Sequence, residues 1–289
     1  MKHIETLQSS LIHCQNLLGE GPLWQSLEQR LYWIDIDRGL LQRYDPDTQG
    51  GEVYPIGRKL GCFAFRSRGG LVLGTEGGFA FWDEQNGVSP DFISLYSPGS
   101  TNMMNDGRVD AAGRFWAGSK GPVCTSSLFR LDQDLSCREA IIGVTISNGI
   151  DWSPDGRFCY YIDSMEHTLF KYRFDVSSGE LTQREVFFTT WDGTPDGLTV
   201  DSAGNIWVAI WDGWRVIRLS PEGQILDEIR LPVCRPTSVT LGGKDMRTLF
   251  ITSASVELSA DELATQPLAG DLFAISVETP GKSANLFAG

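Results

Sequence analysis

Apolar positions along this chain fall in short runs broken by Gly, Pro, Asp and Ser, with side-chain alternation typical of strands. One two-strand phrase recurs: a polar residue, a glycine, a short apolar strand, a tight turn and a β-rich strand. It reads SNGIDWSPDGRFCYYI over 147–162, PDGLTVDSAGNIWVA over 195–209 and MNDGRVDAAGRFWA over 104–117. Looser copies begin at Gly19, Gly61 and Thr237. The residues that open the second strands are Arg30, Gly70, Arg114, Arg157, Asn205 and Thr248, separated by 40, 44, 43, 48 and 43 positions. That spacing matches the four-strand blade of a β-propeller. Third strands are expected over 41–45, 79–83, 128–132, 169–175, 216–220 and 272–277, and fourth strands over 52–56, 92–96 and 225–231. A helical period is confined to 259–266, where Ser259 and Glu262 have capping-box spacing and Pro267 ends the run. The pattern predicts an all-β, six-bladed β-propeller that fills residues 1–289 as one domain, with a β-sandwich as the alternative. Residues 4–12 and 284–287 both read as outer strands of the closing blade.

First strands of propeller blades line the central channel, so equivalent positions at their starts converge. Those positions are Glu20, Gly61, Asn105, Asn148, Asp196 and Ser238. Two carboxylates and two amides aimed into one channel are costly to desolvate without a counter-ion, which a divalent cation supplies. The chain has three histidines (His3, His13, His167) without HxxxH spacing and no CxxC pair, so a dedicated Cys/His zinc site is excluded. An all-oxygen donor set suits calcium, magnesium or manganese by hardness, and zinc and iron also accept oxygen donors. Taken singly, Asn-Gly and Asp-Gly read as turns. Asp110, Asp151 and Asp201 read as turn and cap residues, and Trp24, Trp116, Trp152 and Trp207 as packing between blades. The Trp-Asp pairs do not recur at a fixed blade position, and GxSxG is absent.

Composition narrows the function further. With 24 Lys+Arg against 37 Asp+Glu the formal charge is −13, which disfavours nucleic acid or an anionic membrane as partner. No apolar run approaches a membrane span, and residues 1–15 do not read as a secretion signal. The six scattered cysteines read as reduced thiols, which with the missing signal gives a cytoplasmic expectation.

The ordered motifs GEGPLW (19–24), NDGRVD (105–110), SNGIDW (147–152), PDG (195–197), WVA (207–209) and QPLAG (266–270) resemble the SMP-30/gluconolactonase/regucalcin family. The resemblance spans nearly the whole chain. It implies a propeller with one divalent metal ion in the channel and hydrolysis of a small sugar lactone. Glu20, Asn148 and Asp196 match the family's metal ligands, Asn105 its contact to substrate or water, and Asp196 also its general base. Two departures stand out. Met103 occupies the place of a substrate-binding Arg, and the loop after Gly118 carries no acid, leaving Lys120 as the polar group there. These departures put gluconolactone itself in question and favour another aldonolactone, such as a pentonolactone. Two further readings are an esterase or organophosphate-type hydrolase on a less polar substrate, and a non-catalytic calcium-binding regulatory propeller.

Overall fold

The computed structural model describes residues 3–289, the side chain of His3 excepted. Six antiparallel sheets succeed one another along the chain. Blade one runs Gly19–Gln25, Arg30–Asp35, Leu40–Asp45, Gly50–Pro55, from the innermost strand outward. Blades three and four repeat this order from Met103–Val109 and Ser147–Trp152. Blade two starts at Leu60–Phe65, blade five at Thr194–Val200 and blade six at Pro236–Gly242. Each innermost strand touches the innermost strands of the blades before and after it, and blade one touches blade six, so the ring closes around an axial channel. The predicted openings hold to within a residue, since the second strands begin at Arg30, Leu71, Phe115, Phe158, Ile206 and Thr248.

Burial falls from the axis outward. The inner strand Ser147–Trp152 is buried at every position, whereas Gly50–Pro55 is exposed at all but one. Inner strands bury polar and apolar positions alike because neighbouring blades pack against them. Tryptophans fill the joints as expected. Trp24 stacks on Phe250 of blade six at 5.8 Å, Trp116 meets Trp152 edge-on at 6.0 Å, and Trp207 packs with Val239 and Leu241.

The closing blade differs from expectation. Among the described residues only three strands pair in blade six. Its outer edge is met by the N-terminal segment, with Leu11 and Ile12 N–H donating to Leu272 O. Residues 3–6 instead add a parallel fifth strand to blade five. The C-terminal stretch 284–287 is not an outer strand at all. Phe287 N–H donates to Phe65 O, Ala288 N–H donates to Gly113 O, and the Phe287 ring is fully buried beside Phe79 and Phe115. A lone apolar ring between two blades gains more from that pocket than from a solvent-facing edge. The fourth strand of blade two is also shorter than expected, Ile93–Ser94.

The helix appears as Ala260–Thr265 with the Ser259–Glu262 capping box formed. The QPLAG segment after it is structural, since Gln266 Oε1 accepts from Cys234 N–H at 2.7 Å. All six cysteines are free. No helix among the described residues is long and apolar enough to cross a membrane.

Asp110 and Asp201 are turn residues, as expected. Asp110 accepts from the N–H groups of Ala112 and Arg114, from the Arg114 guanidinium at 2.6 Å and from Trp116 Nε1 at 2.8 Å. Asp201 repeats this with Ala203, Asn205 and Trp207. Asp110→Ala leaves a buried guanidinium and indole N–H without their acceptor. The expected loss is about 3–5 kcal/mol, measured as a lower urea midpoint at unchanged slope. Asp151 departs from the turn reading. It is a buried ion-pair centre between Arg108 and Lys282.

Candidate metal and substrate site

Every innermost strand carries one extra residue, and the extra residue falls at the same height. The ladder slips between Glu20 and Leu23, Leu60 and Cys62, Met104 and Gly107, Asn148 and Ile150, Pro195 and Leu198, and Pro236 and Val239. A bulge leaves its residue unpaired in the sheet and re-aims side chains. Of the six positions singled out from the repeat, Gly61, Asn105, Asp196 and Ser238 fall inside these slips, and Glu20 and Asn148 are the last paired residues before them. Two of them serve packing: a Cβ on Gly61 would lie 2.0 Å from Met104 O, and Ser238 presses against Gly197. Asn105, Asn148, Glu20 and Asp196 are all buried.

The amides form a short chain. Asn105 Nδ2 donates to Ser147 O at 2.9 Å and to Asn148 Oδ1 at 3.4 Å. Asn148 Nδ2 donates to Ser164 Oγ at 2.9 Å, and Ser164 Oγ donates to Pro195 O at 2.7 Å. Ser164 therefore fixes which end of the Asn148 amide faces Asn105. It sits in a 3-10 turn, Ser164–Glu166, capped by Asp163. Its role was not visible in the sequence, where it follows the second strand with no distinguishing pattern.

The carboxylates repel one another. Burial, then Asp196 and Asp106, push the Glu20 carboxyl well above its usual range. Burial and Asp106 do the same to Asp196, against the pull of Lys120, the Asn148 amide and the Gly197 N–H. Asp106 is raised by burial and held down by Arg108 and the Gly107 N–H. Glu20 Oε2 accepts only from the neighbouring Gly21 N–H at 2.9 Å. Asp196 Oδ1 is buried with no hydrogen-bond partner. Three acids thus converge where two were expected. Asp106 was missed because strict alternation turns it away from the side that Asn105 faces, and only the bulge returns it.

Lys120 and Met103 are direct cross-strand partners in blade three. Burial lowers the Lys120 ammonium, while Asp37, Glu20 and Asp196 oppose that shift, so the cation faces the acids. Met103 packs against the core shared by blades one and two. The cation of this wall therefore stands one strand over from the position at which a family arginine is expected.

The donor set fits a hard divalent ion. It is all oxygen, it holds excess buried negative charge, and one buried carboxylate oxygen has no partner. Among the described residues no three His, Cys, Asp or Glu side chains cluster as a ligand set on their own.

Comparison with known proteins agrees with this geometry. The family model described as SMP-30/Gluconolactonase/LRE-like region matches residues 18–255. A 6-deoxy-6-sulfogluconolactonase of Pseudomonas putida is 40% identical over 99% of both chains. Regucalcin of Danio rerio is 35% identical over 91% of each. The crystal structure of a calcium-binding protein, regucalcin, from Agrobacterium tumefaciens superposes with a TM-score of 0.94 at 25% identity, covering 99% of both chains. The match across most of the chain, on a six-bladed ring with these residues at its inner strands, makes this protein a member of the SMP-30/gluconolactonase/regucalcin-like family.

Proposed function

We propose that this protein is a divalent-metal-dependent hydrolase that opens a sugar-derived lactone to the aldonic acid. Glu20, Asn148 and Asp196 hold the ion. When bound, the ion polarises the lactone carbonyl and stabilises the developing oxyanion. The observation that carries this reading is the partnerless Asp196 Oδ1, buried beside Glu20.

The protein's own groups supply the rest. Asp196 Oδ1 accepts the proton of the attacking water, a role that requires a free acceptor within hydrogen-bond reach of that water. Asn105 donates its Nδ2 hydrogens to Ser147 O and Asn148 Oδ1, which leaves its own Oδ1 to orient a water or a substrate hydroxyl. Ser164, by holding the Asn148 amide, keeps that residue's oxygen on the channel side. Lys120 binds the polar end of the substrate.

Lys120 also favours a sugar lactone over a less polar ester. A cation and three acids in one mouth suit hydroxyl-rich or anionic ligands, and Met103 lies against the core rather than supplying an apolar wall alone. The Pseudomonas relative's name specifies a 6-sulfonated gluconolactone, and Lys120 is a fitting partner for such a group.

The test is hydrolysis of hexonolactone, 6-sulfonated hexonolactone, pentonolactone and an aryl ester, followed by acid release in weak buffer. Turnover of a sugar lactone is expected, with little or none of the ester. Lys120→Met is expected to lower kcat/KM about tenfold or more, chiefly through KM. Turnover of the aryl ester alone would replace the lactonase reading with the esterase one.

A further inference from the structure

The channel is not open at both ends. Site residues occupy the N-terminal ends of the inner strands, and residues 278–289 cross the opposite end. This tail is tied to five blades in turn. Pro280 O accepts from Ser202 N–H at 2.9 Å and Gly281 N–H donates to Met246 O at 2.7 Å. Lys282 bonds Asp151 at 3.1 Å, Asn285 Nδ2 donates to Val109 O at 3.1 Å, and Phe287 N–H donates to Phe65 O at 2.8 Å.

Between the tail and the inner strands lies a cavity of about 150 Å³, walled by Trp24, Arg108, Asp151, Trp152, Lys282 and Asn285 among others. At 10–15 Å³ for each water, that is space for about ten waters or for a small ion with its hydration shell. Its lining is rich in donors. Arg108 and Lys282 both pair with Asp151, at 3.4 and 3.1 Å. Arg108 also donates to Thr199 Oγ1 at 3.1 Å and Leu198 O at 3.2 Å, and Lys282 Nζ to Trp152 O at 2.5 Å. Asp151 also accepts from the N–H groups of Trp152 and Val200, both at 2.8 Å, and from Thr199 Oγ1 at 3.4 Å. The indole Nε1 atoms of Trp24 and Trp152 are buried without any acceptor. Both rings are at most 4% exposed, so bulk solvent does not satisfy them.

We propose that this chamber binds a small oxyanion such as sulfate, phosphate or a carboxylate. Arg108 and Lys282 supply the charge and the two indoles supply neutral donors. The two ends of the channel thus have opposite character. Acids crowd the catalytic mouth, and two cations and two indole N–H groups without acceptors line the closed end. An anion at the closed end bridges the tail to blades one, three and four, and so holds the floor of the channel in place.

The experiment uses the full chain with its divalent ion present and measures melting temperature against sulfate and acetate, with chloride at matched ionic strength as reference. A saturable rise is expected, with a midpoint in the millimolar range. Lys282→Gln and Trp152→Phe are each expected to weaken that midpoint about tenfold, whereas Lys282→Arg retains it. Preference for sulfate over acetate identifies a tetrahedral anion, and the reverse identifies a carboxylate. A rise that never saturates and is equal in all four proteins is general salting-out and overturns the site. No rise beyond that of chloride also overturns it. Neither result bears on lactone turnover, which is read separately at the opposite mouth.

Discussion

Asp196→Ala protein is expected to lose at least about a thousandfold in lactone kcat/KM while keeping a melting temperature close to that of the parent. The substitution removes a general base, worth about 10²–10⁴ in rate, and one of the two carboxylates of the ligand set. It abandons no donor at Asp196 Oδ1, which has no partner, and gives up only the carboxylate's attraction to the Asn148 amide and the Gly197 N–H. Stability is spared for a second reason. Asp196 is buried among like charges, Glu20 and Asp106, so its removal relieves repulsion when no ion is bound. Asp196→Asn refines the comparison by keeping an oxygen donor while removing the charge and the base. It is expected to bind metal weakly and to remain inactive. Turnover within tenfold of the parent in a folded Asp196→Ala protein would remove this residue from the mechanism.

Chelation is expected to abolish lactone hydrolysis, and add-back of one suitable divalent ion to restore it. The same ion stabilises the fold by mass action, about 2.7 kcal/mol at a hundred times its Kd. For a chain of this size that corresponds to roughly 5 °C in melting temperature. The physical origin is the excess of buried negative charge. Glu20 and Asp196 face the ammonium of Lys120, and Asp106 faces the Arg108 guanidinium. Glu20→Gln is expected to reduce both the thermal shift and the activity, since it weakens the ion's hold without touching Asp196. Protein shown by elemental analysis to be free of metal, yet hydrolysing lactone at an undiminished rate, would end the metal-dependent reading.

The blade order was legible because each second strand opens at a residue that recurs every 40–48 positions, and those openings are where the strands begin. Glu20, Asn148 and Asp196 were legible as a group for the same reason. A repeat position converts sequence phase into spatial convergence, and the Asp196 carboxyl feels the Asn148 amide while its charge acts on Glu20. Their roles as ligands and base rest on the family resemblance and await the experiments above. Asp106 was not legible, since a period-two reading fails at a bulge. The closing contacts were not legible either. Leu11 and Ile12 reach Leu272 through backbone atoms, which leave no side-chain signature, and Phe287 reads locally like any edge-strand aromatic. Lys120 was singled out as a loop replacement for a missing acid. Its direct pairing with Met103 across the ladder emerged only from the strand register.

The six bulges make the ring evolvable. A residue within the slip, as Asn105 and Asp196 are, stands outside the ladder, so exchanging it alters neither register nor the alternation of the strand that bears it. Blades two and six show the consequence within one molecule, with Gly61 and Ser238 where other blades carry an acid or an amide. The scaffold thus offers seats around one axis whose chemistry differs from blade to blade, while Gly61, where a Cβ would meet Met104 O, stays committed to packing.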